Sequence, residues 1–365
     1  MSKDPDQHLP LGFCVENYEV RAVLGLGGFG ITYKAWDSTL ERWVALKEFL
    51  PADLALRDTD NTTVRARSDR EEDYRYALDR FLLEARTLAR FQHPNIVRVV
   101  DFLQANGTAY LMMEYVEGQA LSTYLRKHPE RIPEERLRSW FVPLLKGLAK
   151  VHDAGFLHRD IKPGNIYLSD EGVPILIDFG AARQAIGEHS KSVTGIFTAG
   201  YAPIEQYATD AKNQGPWTDL YALGATLYRC VSRASPVDAP ARQSAVLEGE
   251  ADPLTPAAEL GGSYSQPFLT LIDELLVLAA RHRPQSAAAV LAALEQGIAP
   301  SRLAAAEEAL TEVSQEDTPG RLAAAAASRP EGGRRYAVPA AAMAGVVVAV
   351  ILAWQWLRAP EALEG

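Results

Sequence analysis

The sequence predicts an α+β fold in two lobes, a small β-rich lobe followed by a larger α-rich lobe. The first 115 residues contain five strand-like runs, at 18–24, 31–36, 43–50, 97–102 and 109–115, and one apolar helical stripe at 80–90. Beyond them, helical patterns recur at 137–152, 219–231, 267–280 and 284–295. The stretch 51–76 is polar and has no clear period, so we expect a loop with some helix there.

Composition narrows the class of protein. The 365 residues are 47% hydrophobic, enough for a sizeable core, and the net charge of -10 argues against a nucleic-acid binder. Cys14 and Cys230 stand far apart, which predicts neither a disulfide framework nor a zinc site and fits a reducing compartment. Residues 1–10 lack the apolar stretch of a secretory signal, so we expect the bulk of the chain to stay inside the cell.

A cluster of glycines lies at the turn between the first two strand-like runs. Its members are Gly25, Gly27, Gly28 and Gly30. Glycines at such a turn let backbone N–H groups come close to phosphate oxygens. Two alternatives are a turn without a ligand and a dinucleotide-binding fingerprint. The fingerprint requires a helix directly after the glycines, where residues 31–33 have a strand-like pattern instead.

Two charged residues occupy positions that should be apolar. Lys47 lies in the apolar run 44–47 and shares a strand face with Ala45 and Phe49. Glu84 lies on the apolar stripe of the predicted helix. A buried charge requires a partner, so we expect an internal ion pair between Lys47 and Glu84. The alternative for each is a surface side chain whose charged end reaches water.

Two short motifs follow in the α-rich half. Residues 158–165 read His-Arg-Asp-Ile-Lys-Pro-Gly-Asn, and an apolar run at 175–177 is followed by Asp-Phe-Gly. With the glycine-rich turn, Lys47 and Glu84 in the same order, the chain resembles the bacterial eukaryotic-like (Hanks-type) serine/threonine protein kinases over residues 18–295. The resemblance implies a two-lobed protein-kinase-like fold. It also implies transfer of the γ-phosphoryl group of ATP to serine or threonine hydroxyls of proteins, autophosphorylation included.

The resemblance assigns catalytic roles to four side chains. Asp160 would orient the acceptor hydroxyl and take its proton, and Lys162 would steady the transferring phosphate. Lys47, held by Glu84, would grip the α- and β-phosphates. A lysine at position 162 resembles serine/threonine kinases more than tyrosine kinases.

ATP and Mg²⁺, with Mn²⁺ as an alternative, are the implied cofactors. Asn165 and Asp178 match the positions that hold the cation, for which amide and carboxylate oxygens are suitable ligands. Met113 matches the gatekeeper, and the backbone of Glu114 and Val116 would bond adenine, although such residues also occur as ordinary core. The positions matched to nucleotide contact are Leu24, Gly25, Gly27, Gly28, Gly30, Thr32, Ala45, Lys47, Met113, Glu114 and Val116.

Residues 178–205 match the activation segment of such kinases. Its hydroxyl side chains include Ser190, Ser192, Thr194 and Thr198. A phosphate on this segment could pair with Arg159 and order it, while Thr198 fits the floor of the substrate site better than a regulatory position. The alternative is a polar loop without a regulatory role.

Three further matches are structural, and two of them help to distinguish a protein kinase from a small-molecule phosphotransferase. Glu205 would close the activation segment in an ion pair with Arg283, and Asp219 would bond the backbone of residues 158–165. A small-molecule phosphotransferase would have no use for Glu205 and Arg283. A pseudokinase scaffold would have a different residue at one or more of four positions. All four carry the residue that an active kinase requires, namely Lys47, Asp160, Asn165 and Asp178. The long interval between Lys47 and Glu84 makes 51–76 a candidate contact surface.

The domain plan follows from these matches and from the C-terminal composition. It consists of a tail at 1–17, a kinase domain at 18–296 (lobes 18–113 and 119–296, hinge 114–118), a linker at 297–336, a transmembrane helix at 337–357 and a short tail at 358–365. Protein substrates are the implied partners.

The predicted transmembrane helix is an uncharged stretch. Residues 337–357 would span about 30 Å as a helix, with Trp354 and Trp356 near one end. Arginines are more frequent before the stretch than after it, which predicts a single-pass protein of the inner membrane with a cytoplasmic kinase domain. The alternative is an alanine-rich buried or peripheral helix, and a homodimer through this helix stays open.

Overall fold

The computed structural model describes residues 7–180, 198–208, 213–298 and 300–301. The small lobe contains, in chain order, β1 (Cys14–Val15), β2 (Tyr18–Gly27), β3 (Gly30–Asp37), β4 (Arg42–Phe49), β5 (Ala55–Arg57), β6 (Val64–Ala66), α1 (Glu71–Leu88), β7 (Val99–Ala105) and β8 (Thr108–Glu114). The main sheet has the order β1-β2-β3-β4-β8-β7, and its neighbouring strands are antiparallel. The five predicted strands are all present, because their apolar residues alternate with a period of two.

The segment expected as a loop with some helix has more structure than predicted. Strands β5 and β6 pair as a small hairpin, and α1 starts at Glu71, within that segment and before the predicted stripe at 80–90. Three acidic residues in the first turn stabilise the start of α1 through the helix dipole. They also hide the apolar period, which continues through the buried residues Tyr74 and Ala77.

Part of the predicted N-terminal tail belongs to the small lobe. Leu9 is fully buried, and its backbone N–H donates to the hydroxyl of Tyr33 at 3.0 Å. Cys14–Val15 forms the edge strand β1. Leu9 and Cys14–Val15, which fall in the predicted tail at 1–17, therefore pack with the small lobe. Whether a single leucine is buried depends on the residues that pack over it from other parts of the chain, and a local sequence pattern does not show these.

The large lobe is mainly helical. Its elements are β9 (Gly118–Ala120), α2 (Leu121–Lys127), α3 (Glu134–Asp153), β10 (Ile166–Ser169), β11 (Pro174–Leu176), α4 (Pro216–Ser232), α5 (Ala239–Leu247), α6 (Gln266–Leu275) and α7 (Ala287–Gln296). Helix α4 is buried along most of its length, and Gly224 lets it approach α6 closely at Leu275. Helices α2 and α5 were missed because they are short. The expected helix at 267–280 ends earlier, at Leu275.

The lobes are joined by hydrogen bonds beside the hinge. The N–H of Val97 donates to the carbonyl of Leu176 at 2.9 Å, and the Leu176 N–H donates to the carbonyl of Asn95 at 2.9 Å. The buried Asn95 side chain donates to the carbonyl of Pro174 at 2.7 Å. These bonds tie the start of β7 to β11, and so place the end of β11 opposite β4.

Within the part of the chain that the structure describes, no helix is long and apolar enough to cross a membrane. The predicted transmembrane helix at 337–357 and the candidate phosphorylation sites Ser190, Ser192 and Thr194 lie outside the described residues.

Candidate active site

A polar cavity lies between the two lobes and collects most of the predicted catalytic residues. Its volume is about 230 Å³. Its lining includes the glycine-rich turn (residues 25–30), Lys47, Glu84, Asp160, Lys162, Asn165, Asp178 and Phe179. These residues come from β4, α1, the catalytic loop (residues 158–165) and the segment after β11. Tertiary folding therefore brings together motifs that are far apart in the chain.

Lys47 reaches across the cleft to Asp178. Its Nζ lies 2.8 Å from Asp178 Oδ1, and its side chain is mostly buried. Burial raises the pKa of Asp178, but the Lys47 ammonium outweighs this effect and holds that pKa below its usual value. Asp178 is therefore ionised at neutral pH. Glu84 lines the same cavity, and its direct ion pair with Lys47 stays a prediction.

The catalytic loop concentrates its polar groups around Asp160. Asn165 Nδ2 donates to the backbone carbonyl of Asp160 at 2.8 Å and to Asp160 Oδ2 at 2.6 Å. Lys162 Nζ lies 3.2 Å from Asp160 Oδ1 and 3.0 Å from Thr198 Oγ1. The Thr198 hydroxyl donates to Asp160 Oδ1 at 3.4 Å. Thr198 therefore lies beside the Asp160 carboxylate, and its role in a substrate site stays a prediction.

Asp219, at the start of α4, supports the catalytic loop from below. Its carboxylate accepts the backbone N–H of His158 at 2.8 Å and that of Arg159 at 2.7 Å. His152 Nε2 lies 2.8 Å from Asp219 Oδ2. Burial raises the pKa of Asp219, but the nearby histidines and the backbone donors lower it by more. The pKa of Asp219 therefore lies below its usual value, and the carboxylate stays charged. Arg159 adopts a positive φ of 66°, which these bonds hold in place.

The structural roles of His158, the first residue of this loop, and of its neighbour Gln206 were not predicted from the sequence. His158 is fully buried, its Nε2 lies 3.1 Å from the carbonyl of Ile177, and its ring packs on Phe179 at 4.3 Å. Burial lowers the pKa of His158 and keeps the ring neutral. Gln206 donates to the carbonyl of Arg159 at 2.8 Å. The only sequence signal for these contacts is proximity to a motif.

The expected pair between Glu205 and Arg283 is present. Arg283 NH1 lies 2.6 Å from Glu205 Oε1, and NH2 lies 3.1 Å from Oε2, so the contact is bidentate. The Arg283 side chain has no solvent exposure, and its guanidinium lies 4.8 Å above the ring of Tyr221. Thr218 donates a further hydrogen bond to Glu205 at 3.0 Å. The pair joins the segment after Thr198 to the helical lobe.

An apolar cavity adjoins the polar one. It is lined on the small-lobe side by Leu24, Thr32, Ala45 and Met113, on the hinge side by Glu114, Tyr115 and Val116, and from below by Tyr167, Ile175 and Ile177. The two cavities share Gly25, Thr32 and Asp178. Every position matched to nucleotide contact lines at least one of them. An apolar cavity that adjoins a polar, charged one suits a molecule with an aromatic ring and an anionic end.

The residues also suit a hard divalent cation. Asn165 uses its amide nitrogen on Asp160, which leaves its carbonyl oxygen for a cation. Asp178 keeps one carboxylate oxygen, Oδ2, beyond the one that contacts Lys47. Both line the polar cavity, and oxygen ligands of this kind are those that Mg²⁺ prefers.

Comparisons with known proteins agree with this geometry. A family model described as "Protein kinase domain" matches residues 18–293. The chain is 32% identical over 280 residues to the DNA damage-responsive serine/threonine-protein kinase RqkA of Deinococcus radiodurans, covering 75% of this chain and 38% of that protein. It is 35% identical over 280 residues to the serine/threonine-protein kinase pkn2 of Myxococcus xanthus, with 74% and 31% covered.

A solved structure titled "PpkA-294 apo form" shares 37% sequence identity and a TM-score of 0.70 with this chain. The match covers 78% of this chain and 98% of that one. The chain spans about half or less of the length of the curated relatives it matches.

Proposed function

The chain belongs to the protein kinase domain family, and from this membership we propose that it transfers the γ-phosphoryl group of ATP to serine and threonine hydroxyls of proteins. The observation that supports the proposal most directly is the polar cavity, where Lys47, Asp160, Asn165 and Asp178 meet. Phosphoryl transfer requires mainly positioning and cationic groups around the phosphates. These residues supply both.

Asp160 is suited to orient the attacking hydroxyl. Its carboxylate is held from one side by Asn165 and from the other by Lys162. A hydroxyl bound where Thr198 now donates to Asp160 Oδ1 would have its proton directed at a carboxylate oxygen. Lys162, beside the same oxygen, would steady the phosphate that the hydroxyl attacks.

Lys47, Asn165 and Asp178 are suited to hold the phosphates and their cation. When bound, Mg²⁺ would neutralise charge on the phosphate oxygens. Asp178 and Asn165 would hold the cation through carboxylate and amide oxygens. Lys47 already lies 2.8 Å from Asp178, so it is positioned to contact both the cation's ligand and a phosphate. Glu84 would hold Lys47 in that role.

The hinge would bind adenine. The N–H of Glu114 donates to the carbonyl of Arg98 at 2.9 Å. We therefore propose that the Glu114 carbonyl and the Val116 N–H form the hydrogen bonds to adenine. Met113 closes the inner end of the apolar cavity. Phosphorylation at Ser190, Ser192 or Thr194, with Arg159 as the receiving cation, remains part of the proposal.

We further propose a membrane location on sequence grounds. The uncharged stretch at 337–357 would anchor the chain in the inner membrane, with the kinase domain on the cytoplasmic side. Cell fractionation of the full chain and of a variant lacking 337–357 tests this. Release of only the shortened chain into the soluble fraction is expected, and equal distribution of the two would contradict the anchor.

The enzymatic proposal is tested by incubating the full chain with labelled ATP, Mg²⁺ and a generic protein substrate. Label on serine and threonine of the substrate and of the chain itself is expected. Asp160→Asn serves as the inactive control, with circular dichroism to show that it folds. A pseudokinase would label nothing although it is folded. A small-molecule phosphotransferase would consume ATP with a small acceptor and leave the protein bands unlabelled.

A further inference from the structure

The inserted hairpin (residues 51–66) is folded and packs against the small lobe. Its first turn closes with hydrogen bonds from the N–H groups of Leu54 and Ala55 to the carbonyl of Pro51, both at 2.9 Å. Strands β5 and β6 then pair in antiparallel register. Leu54, Ala55 and Val64 are buried in the core of the small lobe. The hairpin therefore has a defined position on the sheet.

A buried ion pair fixes the hairpin to the strand that carries Lys47. Arg57 NH1 and NH2 lie 2.7 Å and 2.5 Å from the two carboxylate oxygens of Glu48, and both side chains are almost completely buried. The other Arg57 donors reach the carbonyls of Thr62 and Gln7 at 3.0 to 3.1 Å. Because Glu48 follows Lys47 directly on β4, this pair connects the hairpin to the edge of the polar cavity.

The start of the hairpin also bonds the tip of the glycine-rich turn. The N–H of Leu50 donates to the carbonyl of Phe29 at 3.1 Å, and the N–H of Ala52 donates to the carbonyl of Gly28 at 3.3 Å. Gly30 packs so closely on the carbonyl of Glu48 that a Cβ there would collide with it. The turn is thus held against β4 and the hairpin by backbone contacts.

Such contacts have a physical consequence for nucleotide binding. A turn with four glycines has many conformations in the free protein, and ordering it over a ligand costs conformational entropy. Hydrogen bonds that already hold the turn reduce this cost. We propose that the inserted hairpin positions the glycine-rich turn over the nucleotide phosphates, with the Ala52 amide and the Arg57–Glu48 pair as the positioning groups. This inference rests on the proposed function, since it assumes that the phosphates lie under the turn.

The first test removes one hydrogen bond without changing a side chain in the site. Ala52 is exposed, has no positive φ and is the second residue of its turn, where the fixed φ of proline fits. Ala52→Pro deletes the N–H that bonds Gly28, and its ring displaces the Gly28 carbonyl, so the turn loses its support from the hairpin at this point. Ala52→Ser is the matched control that keeps the N–H. Affinities of the full chain for ATP with Mg²⁺ and for adenosine are measured by calorimetry.

Ala52→Pro is expected to weaken ATP binding by at least about fivefold, the factor for one hydrogen bond of ~1 kcal/mol, and to leave adenosine binding unchanged. The reason is that adenosine occupies only the apolar cavity. Ala52→Ser should bind both like the wild type. Unchanged ATP affinity in Ala52→Pro, or an equal loss for adenosine, would overturn the inference.

A second variant guards against misfolding of the first. Glu48→Gln with Arg57→Met removes both members of the buried pair, so no unpaired charge is left inside. Its control, Asp58→Asn with Arg65→Met, removes an ion pair on the same hairpin whose arginine is 73% exposed. Only the first double variant should lose ATP affinity selectively. Neither titration needs phosphate transfer, so a wild-type chain that binds ATP but labels no protein would contradict the proposed function separately.

Discussion

Asn165 binds the backbone and the side chain of Asp160 with the same amide group, at 2.8 Å and 2.6 Å. The two bonds fix the direction of the Asp160 carboxylate, which also faces Lys162 and Thr198. An aspartate held in this way is suited to orient a hydroxyl, and the amide oxygen of Asn165 is left for a cation.

Asp160→Asn should reduce kcat by roughly 10²–10⁴, because the amide cannot take up the proton of the acceptor hydroxyl. ATP affinity should stay within about twofold of the wild type, since Asp160 is proposed to contact the acceptor. Steady-state kinetics and calorimetry measure the two effects. Asp153→Asn, at an exposed position at the end of α3, is the control. A variant with wild-type kcat would remove Asp160 from the mechanism.

Asp178→Asn should make nucleotide binding insensitive to Mg²⁺. In the wild type, we expect chelation of the metal with EDTA to weaken ATP binding, because the cation links Asp178 and Asn165 to the phosphates. In Asp178→Asn the affinities with and without Mg²⁺ should be similar. Asp170→Asn, on an exposed turn, should behave like the wild type. If Asp178→Asn kept the full Mg²⁺ effect, the cation would bind elsewhere.

Arg283→Met should lower the free energy of unfolding by about 3–5 kcal/mol, because it leaves the buried Glu205 carboxylate without its partner. Glu205→Gln combined with Arg283→Met should recover much of this loss, since neither charge then remains. Urea unfolding of both variants measures the difference. Equal destabilisation of the single and double variants would show that packing of Arg283 on Tyr221, and not the ion pair, is what matters.

Stability should fall as the pH drops below about 6.5, the usual pKa of a histidine in an unfolded chain. Burial lowers the pKa of His158 in the folded state, although Asp219 and Asp160 oppose this shift. The unfolded chain therefore binds more protons in that window, so acidification favours unfolding until the folded pKa is reached. Above pH 6.5 this contribution is constant.

Urea unfolding at pH 5.5 and 7.5 checks the effect. His158→Phe should be less stable at both pH values but should show a smaller difference between them. His282→Gln, at an exposed site, should keep the wild-type difference. A pH effect that is unchanged in His158→Phe would have to come from other groups.

The structure corrected or extended several expectations for reasons that lie in packing. The polar segment at 51–76 contains a hairpin and the first turns of α1. Its charged residue Arg57 is buried against Glu48 of β4, which its polar character does not predict. Leu9 lies in the core of the small lobe although it precedes the predicted domain. In both cases the decisive contact is with a residue of another strand, Glu48 on β4 for Arg57 and Tyr33 on β3 for Leu9.

The sequence alone determined the fold class, five of the six strands of the main sheet and the residues of the catalytic loop, because periodic patterns and contiguous motifs are local properties of the chain. Only the tertiary structure decided that Lys47 contacts Asp178, 131 residues later, and that Arg57 fixes the inserted hairpin to β4. A charged residue in an apolar pattern indicates that a partner of opposite charge lies nearby, but which residue is the partner depends on how the strands and helices pack.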